Sequence, residues 1–279
     1  MSAELFLMPG ASPEDPVSWG LWDTEYGRVT RTGQAADMND IASGEIDFGQ
    51  PDRVVVIVPG TEVTIHQVRV PARSDAQARA ALPYAIEDDL AVDVDEVHVS
   101  LGPQETGGTR TALVVARRRM DDWLAHMARA GLSADLMTPD YLAFRHDAEG
   151  AVVLTIEDRI VVTTDGPWGF AVSPDLLPLV LGPALEGRGI TRIRACCSGP
   201  EMDRALTAVT DAEVEPNAPP SLSALIETAH RRGREGGGIN MLDGPYGGRK
   251  GWRLDLSKWR KVAALIGLVV LSHMVLLAS

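Results

Sequence analysis

The feature that most constrains this chain is an uncharged apolar stretch near its end. Residues 262–279 contain no Asp, Glu, Lys or Arg, and the run VAALIGLVVLSHMVLLA would span about 25 Å as a helix. Because a bilayer core is about 30 Å thick, we predict a transmembrane helix over residues 259–279. A buried core helix and a tail anchor are the alternatives. Since a span at the very end has nothing beyond the membrane to hold it, we expect a truncated form of a longer protein.

A short basic segment precedes this stretch. Residues 249–261 contain six basic residues and one acidic residue, whereas the whole chain carries a formal net charge of −13. Basic residues beside a span remain on the cytoplasmic side, so we expect a single-pass protein with a cytoplasmic N-terminal part. The residues expected at the membrane interface are Trp252, Lys258, Trp259, Arg260 and Lys261.

The acidic body before this segment argues against nucleic acid as a partner, because proteins bind phosphates through clusters of Lys and Arg. A hydrophobic content of 45% is sufficient for a folded core. The cysteines Cys196 and Cys197 are adjacent and cannot form an ordinary disulfide, so we expect reduced, buried thiols. The N-terminus lacks the basic region of a signal peptide, which favours an intracellular body.

Short β-branched runs alternate with helical patterns, which predicts a mixed α/β or α+β fold. The predicted strands cover residues 53–58, 62–70, 96–101, 111–116, 151–157, 159–164 and 192–197. A helix is predicted over residues 117–130, with Gly131 as its stop and His126 on the solvated side. Its buried stripe comprises Met120, Trp123, Leu124 and Met127.

A second helix is predicted to begin at a capping box formed by Ser74 and Gln77. Pro83 should kink or break this helix near Leu82, since proline has no N–H to donate. The apolar stripe of the helix consists of Leu82, Ile86 and Leu90.

Three side chains of this region form a candidate partner-binding site. A rotation of about 100° per residue would place Tyr84, Glu87 and Asp88 together, away from the apolar stripe. The group is either an ordinary solvated face or an acidic docking patch that includes an exposed aromatic ring.

The sequence contains none of the common motifs of enzyme active sites. We find no Walker A loop, no dinucleotide-binding glycine motif and no nucleophile elbow, and therefore predict no catalytic or cofactor-binding residues. The densest polar cluster is DVDEVH, residues 93–98, whose spacing matches no EF-hand or zinc pattern. We interpret it as an acidic turn before a strand and predict no metal site.

Three segments together resemble type II secretion system protein L. They are LPYAIEDDLAVDVDEVHVSLG (82–102), ARRRMDDWLAHMARAGLSADLMTPDYLAF (116–144) and INMLDGPYGG (239–248), the last just before the basic segment. The resemblance implies an actin-like, ribonuclease H-like cytoplasmic module of two related halves, followed by one transmembrane helix. The expected boundaries are a first half over 1–146 with an inserted subdomain near 66–116, a second half over 147–232, a linker and basic segment over 233–258, and the helix.

The same resemblance implies a scaffold of the inner membrane rather than an enzyme. Members of that family recruit the secretion ATPase, protein E, and pair with the single-span protein M. The implied contacts also include the inner-membrane platform protein, membrane lipid and a second copy in a homodimer. A periplasmic ferredoxin-like domain is implied as well, and this sequence does not contain it.

Nucleotide-binding actin-like proteins hold phosphates at two hairpins, and neither hairpin looks competent here. Residues 1–23 contain no Asp-x-Gly, and in the second hairpin no glycine follows Asp158 to let backbone amides approach a phosphate. The segment RACCSGP (194–200) offers only Gly199 at the place of the adenosine turn. We expect a fold that has lost its nucleotide. The alternatives are a membrane-anchored actin-like ATPase or kinase relative and a type IV pilus assembly module.

Overall fold

A computed structural model describes most of the chain before the basic segment. The described residues are 2–71, 74–104, 108–146, 149–197, 202, 206–208, 210–235 and 238–247. The chain divides into two units, Met1–Gly244 and Pro245–Ser279. The predicted transmembrane helix and the five interface residues lie outside the described residues. Within the described ranges, no helix has both the length and the apolar character that a bilayer crossing requires.

The first sheet has five strands, in the order β3-β2-β1-β4-β8. Strands β1, β2 and β3 are antiparallel neighbours, whereas β4 and β8 run parallel to β1. Their bounds are Ala3–Met8 (β1), Val17–Asp23 (β2), Arg28–Ala35 (β3), Arg53–Val58 (β4) and Leu136–Pro139 (β8). Strand β2 is buried along its whole length and β1 and β4 along all but their first residue, as expected for central strands covered on both faces.

A three-stranded antiparallel sheet is inserted between β4 and β8, in the order β5-β7-β6. Its strands are Val63–Val68 (β5), Val97–Gln104 (β6) and Arg110–Ala116 (β7). Helix α2, Asp75–Ala85, packs on this sheet through the buried residues Ala78 and Leu82. The inserted sheet therefore has a small hydrophobic core of its own.

The second sheet repeats the topology of the first, in the order β11-β10-β9-β12-β13. Again the first three strands are antiparallel and the last two run parallel to the first. Its strands are Ala151–Ile156 (β9), Arg159–Thr164 (β10), Gly169–Val172 (β11), Arg192–Cys196 (β12) and Glu213–Pro216 (β13). The mixed α/β prediction is confirmed, while the exact domain boundaries stay a prediction.

The remaining helices cover the sheets. They are α1 (Met38–Ser43), α3 (Arg117–Arg129), α4 (Asp140–Ala143), α5 (Leu177–Leu185) and α6 (Leu222–Arg234). Short 3-10 turns occupy Gly60–Glu62, Glu87–Asp89, Val94–Glu96 and Gly244–Tyr246. Helix α6 follows the second sheet in sequence but packs on β2 and β3 of the first, where the ring of its His230 stacks on Trp22. The predicted second half, residues 147–232, includes most of α6, although this helix packs on the first sheet.

Two local predictions were confirmed and two need correction. Helix α3 ends at Arg129, two residues before Gly131, whose φ is +67°. It buries Met120, Trp123 and Met127, whereas Leu124 is half-buried. Helix α2 continues through Pro83 to Ala85 and is followed by the 3-10 turn at Glu87–Asp89, so the break predicted near Leu82 comes three residues later. His126 is half-buried rather than simply solvated, because the β1–β2 loop covers that part of α3.

Glycine is required at Gly150, at the start of β9, by both its backbone and its surroundings. Its φ is +103°, and a Cβ there would lie 2.4 Å from the carbonyl oxygen of Arg192. Gly27 also has a positive φ, +62°, but nothing lies within 4 Å of the position of its Cβ. The pair therefore separates backbone strain from steric overlap.

We predict that Gly27→Ala lowers the free energy of unfolding by about 1 kcal/mol, the usual cost of a left-handed conformation. Gly150→Ala should cost at least about 3 kcal/mol, because a backbone atom must also move. Urea unfolding followed by tryptophan fluorescence would measure both. Equal midpoints for the two variants would contradict the described path of β9 beside β12.

Candidate functional site

The predicted docking patch, Tyr84, Glu87 and Asp88, lies at the end of α2. All three side chains are exposed, and Tyr84 is 73% accessible, whereas the intervening Ile86 is fully buried. Because α2 ends at Ala85 and a 3-10 turn follows, the three residues do not share one face of a continuous helix as the rotation argument assumed. Ile86 anchors the turn, and its neighbours project to solvent.

The docking patch has an unbalanced negative charge. Among the residues that the structure describes, neither Glu87 nor Asp88 forms an ion pair or a side-chain hydrogen bond. Asp89 extends the acidic surface, and Val92, 51% exposed, adds apolar area. Free carboxylates beside an exposed ring suit a basic partner surface with an apolar contact.

A second site is a segment that we call the strap, residues 239–243, close to the end of the described chain. Ile239 and Met241 are buried. The Met241 N–H donates to the Met137 carbonyl oxygen at 2.8 Å, and the Asn240 side-chain oxygen accepts from the Met137 N–H at 3.0 Å. The strap therefore lies beside β8, at the edge of the first sheet.

The strap also contacts the inserted sheet. The His98 Nε2 lies 2.8 Å from the Met241 carbonyl oxygen, and the Ser100 hydroxyl donates to Asp243 Oδ1 at 2.9 Å. A Cβ on Gly102 would lie 2.8 Å from Ile239 Cδ1, so the two segments are closely packed. The strap thus fastens β6 to β8 with buried polar contacts.

These contacts settle how the polar cluster DVDEVH is used. Asp93 accepts a hydrogen bond from the Asp95 N–H and caps a short turn, as an acidic turn should, while His98 points into the protein towards the strap. No group of three or more His, Cys, Asp or Glu side chains that could hold a metal ion occurs in the described part of the chain. Sequence reasoning missed the strap because its partners are about 100 or more residues away.

A third site is a buried polar network between the two five-stranded sheets. Asp140, at the end of β8, is fully buried, and its Oδ1 accepts hydrogen bonds from the N–H groups of Gly60 and Tyr141. Its Oδ2 accepts from Arg159 Nε of β10 at 2.8 Å. Arg159 also donates to Glu157, whose other oxygen accepts from the Ser18 hydroxyl of β2. Side chains of both sheets are therefore joined through one chain of polar contacts.

Burial and neighbouring charges act in opposite directions on the pKa values of Asp140 and Arg159. Desolvation raises the pKa of Asp140, although the charge of Arg159 and the three hydrogen bonds act in the opposite direction. Desolvation acts to lower the pKa of Arg159, but the charges of Asp140 and Glu157 outweigh it and the pKa is raised. Arg159 therefore stays protonated near neutral pH. Removing Arg159 would leave Asp140 without its counter-charge in a dry environment, whereas removing Asp140 would leave Arg159 with Glu157 alone.

The two hairpins expected at a nucleotide site use their carboxylates in contacts within the protein. In the β1–β2 loop, Asp15 accepts a hydrogen bond from the Ser12 N–H at 2.7 Å. In the β9–β10 turn, Glu157 has a φ of +55° and directs its carboxylate towards Ser18. The described part of RACCSGP ends at Cys197, and Cys196 and Cys197 are both buried and outside any disulfide, as predicted.

An apolar pocket lies between the β1–β2 loop and α3. Trp123, Met127 and His126 line it from the helix, and Pro9 and Gly10 from the loop. Its volume of about 20 Å³ leaves room for little more than one water molecule. This pocket is too small for a nucleotide.

Comparisons with known proteins agree on one family. A family model described as type II secretion system (T2SS), protein L matches residues 5–246. A protein of that name from Vibrio cholerae is 27% identical over 277 residues, covering 97% of this chain and 64% of the relative. One from Dickeya chrysanthemi is 23% identical, covering 93% of this chain and 60% of the relative. The chain therefore spans less than two thirds of the length of these relatives.

Solved structures support the fold. The cytoplasmic domain of EpsL, an inner membrane component of the type II secretion system of Vibrio cholerae, superposes with a TM-score of 0.73 at 23% identity, covering 88% of this chain and all of that one. The PilM-PilN type IV pilus biogenesis complex gives 0.63 at 12% identity, covering 84% and 98%. A Bacteroides thetaiotaomicron protein with an actin-like ATPase fold gives 0.53 at 8% identity, covering 81% and 96%. The predicted resemblance to the actin-like fold is confirmed at this level.

We predict strong coupling between Asp140 and Arg159. Arg159→Met should lower the free energy of unfolding by about 3–5 kcal/mol, because it leaves a fully buried carboxylate without its counter-charge. The double variant Asp140→Asn/Arg159→Met should be less destabilised than the sum of the single variants by more than about 1 kcal/mol. Chemical unfolding of the four proteins tests this. Additive effects would show that the two side chains do not act as a buried pair.

Proposed function

The chain belongs to the type II secretion system protein L family, and on that premise we propose that it is an inner-membrane scaffold which recruits the secretion ATPase, protein E. In this proposal the N-terminal unit faces the cytoplasm and the segment over 259–279 crosses the membrane. The scaffold passes the motion of the motor to the platform that assembles the pseudopilus. Protein M, the inner-membrane platform protein, membrane lipid and a second copy are its further proposed contacts.

The strap is the observation that carries this proposal. A scaffold that transmits force needs a firm connection between its motor-binding body and its anchor. Met241 is fully buried and Asn240 is held by backbone groups of the first sheet, only a few residues before the basic segment begins. A force applied to the strap from the C-terminal side would therefore act on the first sheet and the inserted sheet together.

The docking patch supports ATPase recruitment in particular. Its carboxylates are free of internal partners in the described chain, so binding a basic surface would not first require breaking an ion pair. Tyr84 offers the large amphipathic ring that interfaces favour. Tethering by the membrane segment would then keep the motor at a high local concentration.

A role without nucleotide fits the two hairpins. Asp15 accepts a hydrogen bond from the Ser12 N–H, and Glu157 accepts from Ser18 and Arg159, so both carboxylates are engaged within the protein. No glycine follows Asp158 to let backbone amides approach a phosphate. We therefore favour the scaffold over a membrane-anchored actin-like ATPase or kinase relative. The type IV pilus assembly module remains the other alternative, and the PilM-PilN likeness concerns the fold alone.

The docking patch can be tested by charge reversal. We predict that Glu87→Lys with Asp88→Lys weakens binding of the full-length chain to the N-terminal domain of the secretion ATPase by about tenfold, because two attractions become repulsions. Titration by biolayer interferometry in detergent would measure the change.

The matched control is Glu186→Lys with Glu227→Lys, which changes the net charge equally at exposed sites on other helices. It should bind within about twofold of the unmodified chain. Unchanged binding of the Glu87/Asp88 variant would remove the docking patch from the proposal. Equal weakening of both variants would show only a general effect of net charge.

The nucleotide alternative has its own test. We predict no saturable binding of ATP with Mg²⁺ to the full-length chain up to about 1 mM, measured by isothermal titration calorimetry. Micromolar affinity would favour the ATPase or kinase reading. Loss of that affinity in a Cys197→Trp variant, beside the expected adenosine turn, would place the nucleotide in the actin-like cleft.

A further inference from the structure

The outer edge of β3 is an unpaired strand edge. Strand β3 ends the first sheet and pairs with β2, and across the described ranges no other strand pairs with its outer side. Most of its residues are exposed, in contrast to the buried β1 and β2. An edge of this kind presents free N–H and C=O groups to which a further strand can bond.

A β-bulge places the two arginines of β3 on the same side of the sheet. Leu21 pairs with Arg31, but the next residue, Trp22, pairs with Val29, so Thr30 has no counterpart. Its hydroxyl instead donates to the Leu21 carbonyl oxygen at 3.3 Å. In a regular strand, Arg28 and Arg31 would face opposite sides because they are three residues apart.

Both guanidinium groups are held over aromatic rings and lack a carboxylate. The Arg31 carbon Cζ lies 5.4 Å from the ring centroid of Trp19, and that of Arg28 lies 5.9 Å from Tyr26. Arg31 also donates to a backbone oxygen, that of Asp47. Neither arginine forms an ion pair with any residue that the structure describes. In a chain of net charge −13, strand β3 contains two arginines and no acidic residue.

We propose that the outer edge of β3 binds an extended acidic segment of a partner protein as an additional strand, with carboxylates of that segment at Arg28 and Arg31. Backbone hydrogen bonds would supply the pairing, and the two arginines would select the charge. The stacking on Tyr26 and Trp19 limits the freedom that the arginines lose on binding. This inference does not depend on the docking patch or on the identity of the motor.

The charge also decides against a second copy of this chain as the occupant. Two β3 edges paired together would place four arginines along one ladder, and like charges across paired strands are destabilising. An acidic partner has no such cost. Charged residues can also prevent a strand edge from pairing with any other strand. The experiment must therefore distinguish an edge that selects an acidic strand from an edge that pairs with none.

A synthetic peptide with capped ends, in which four Glu alternate with three Val, provides the probe. We expect saturable binding of the fluorescein-labelled peptide to the full-length chain in detergent, read as fluorescence anisotropy. Arg28→Glu with Arg31→Glu should weaken binding by about tenfold or more, because attraction becomes repulsion. Hydrogen exchange should slow at backbone amides of residues 28–35 when the peptide is bound.

Two controls separate strand addition from simple attraction of charge. Arg118→Glu with Arg129→Glu, at exposed positions of α3, makes the same change in net charge and should bind within about twofold of the unmodified chain. A peptide that is N-methylated at every residue keeps its charge but has no N–H donors, and should bind at least about tenfold more weakly. Circular dichroism of the β3 variant confirms folding, and Arg28→Gln with Arg31→Gln should give an intermediate loss.

The proposal is overturned by any of four results. These are absence of saturable binding, equal binding of the N-methylated peptide, unchanged binding of the Arg28/Arg31 variant, and protection of amides elsewhere but not in β3. Self-association through β3 that excludes the peptide would make a second copy the occupant. A sheet edge that only resists pairing would give the first result.

Discussion

The buried pair of Asp140 and Arg159 is the interaction on which the arrangement of the two large sheets depends. Each sheet has its own apolar core and could bury its strands without the other. Beside the packing of Tyr141 on Gly169, a carboxylate with three donors and a guanidinium shared between two acids join them at this point. Such pairs tolerate little displacement, because a partly broken buried ion pair is costly. The pair therefore makes the relative placement of β8 and β10 specific.

The strap likewise joins two parts of the protein through polar contacts, here the first sheet and the inserted sheet. It lies beside β8 at the edge of the first sheet and contacts the inserted sheet through His98 and Ser100. The polar contacts of one short segment thus connect two cores that sequence order alone would leave independent. In the proposed scaffold, the described segment that precedes the membrane anchor would therefore also be the one that contacts the inserted sheet.

Much of the fold could be predicted because its central strands carry strong local signals. The run RVVVIV coincides with β4, and RIVVTT coincides with β10, every residue of which is buried. Strands β8, β11 and β13 are only four residues long, which is too short for a periodic signal, and β3 alternates irregularly because of its bulge. The docking patch was predicted as exposed, but the end of α2 at Ala85 changed its geometry.

The sequence by itself determined the elements whose causes are local. It determined the buried strands β4, β7, β9 and β10, the stop of α3 at Gly131 and the absence of glycine after Asp158, since each depends on residues within one turn or one strand. The equally buried β1 and β2 were not among the predicted strands. Only the tertiary structure decided that α6 returns to the first sheet, that His98 serves the strap and that Asp140 meets Arg159. Those contacts join residues that are distant in sequence or lie in different sheets. A buried polar group needs a partner, but no local pattern names which one.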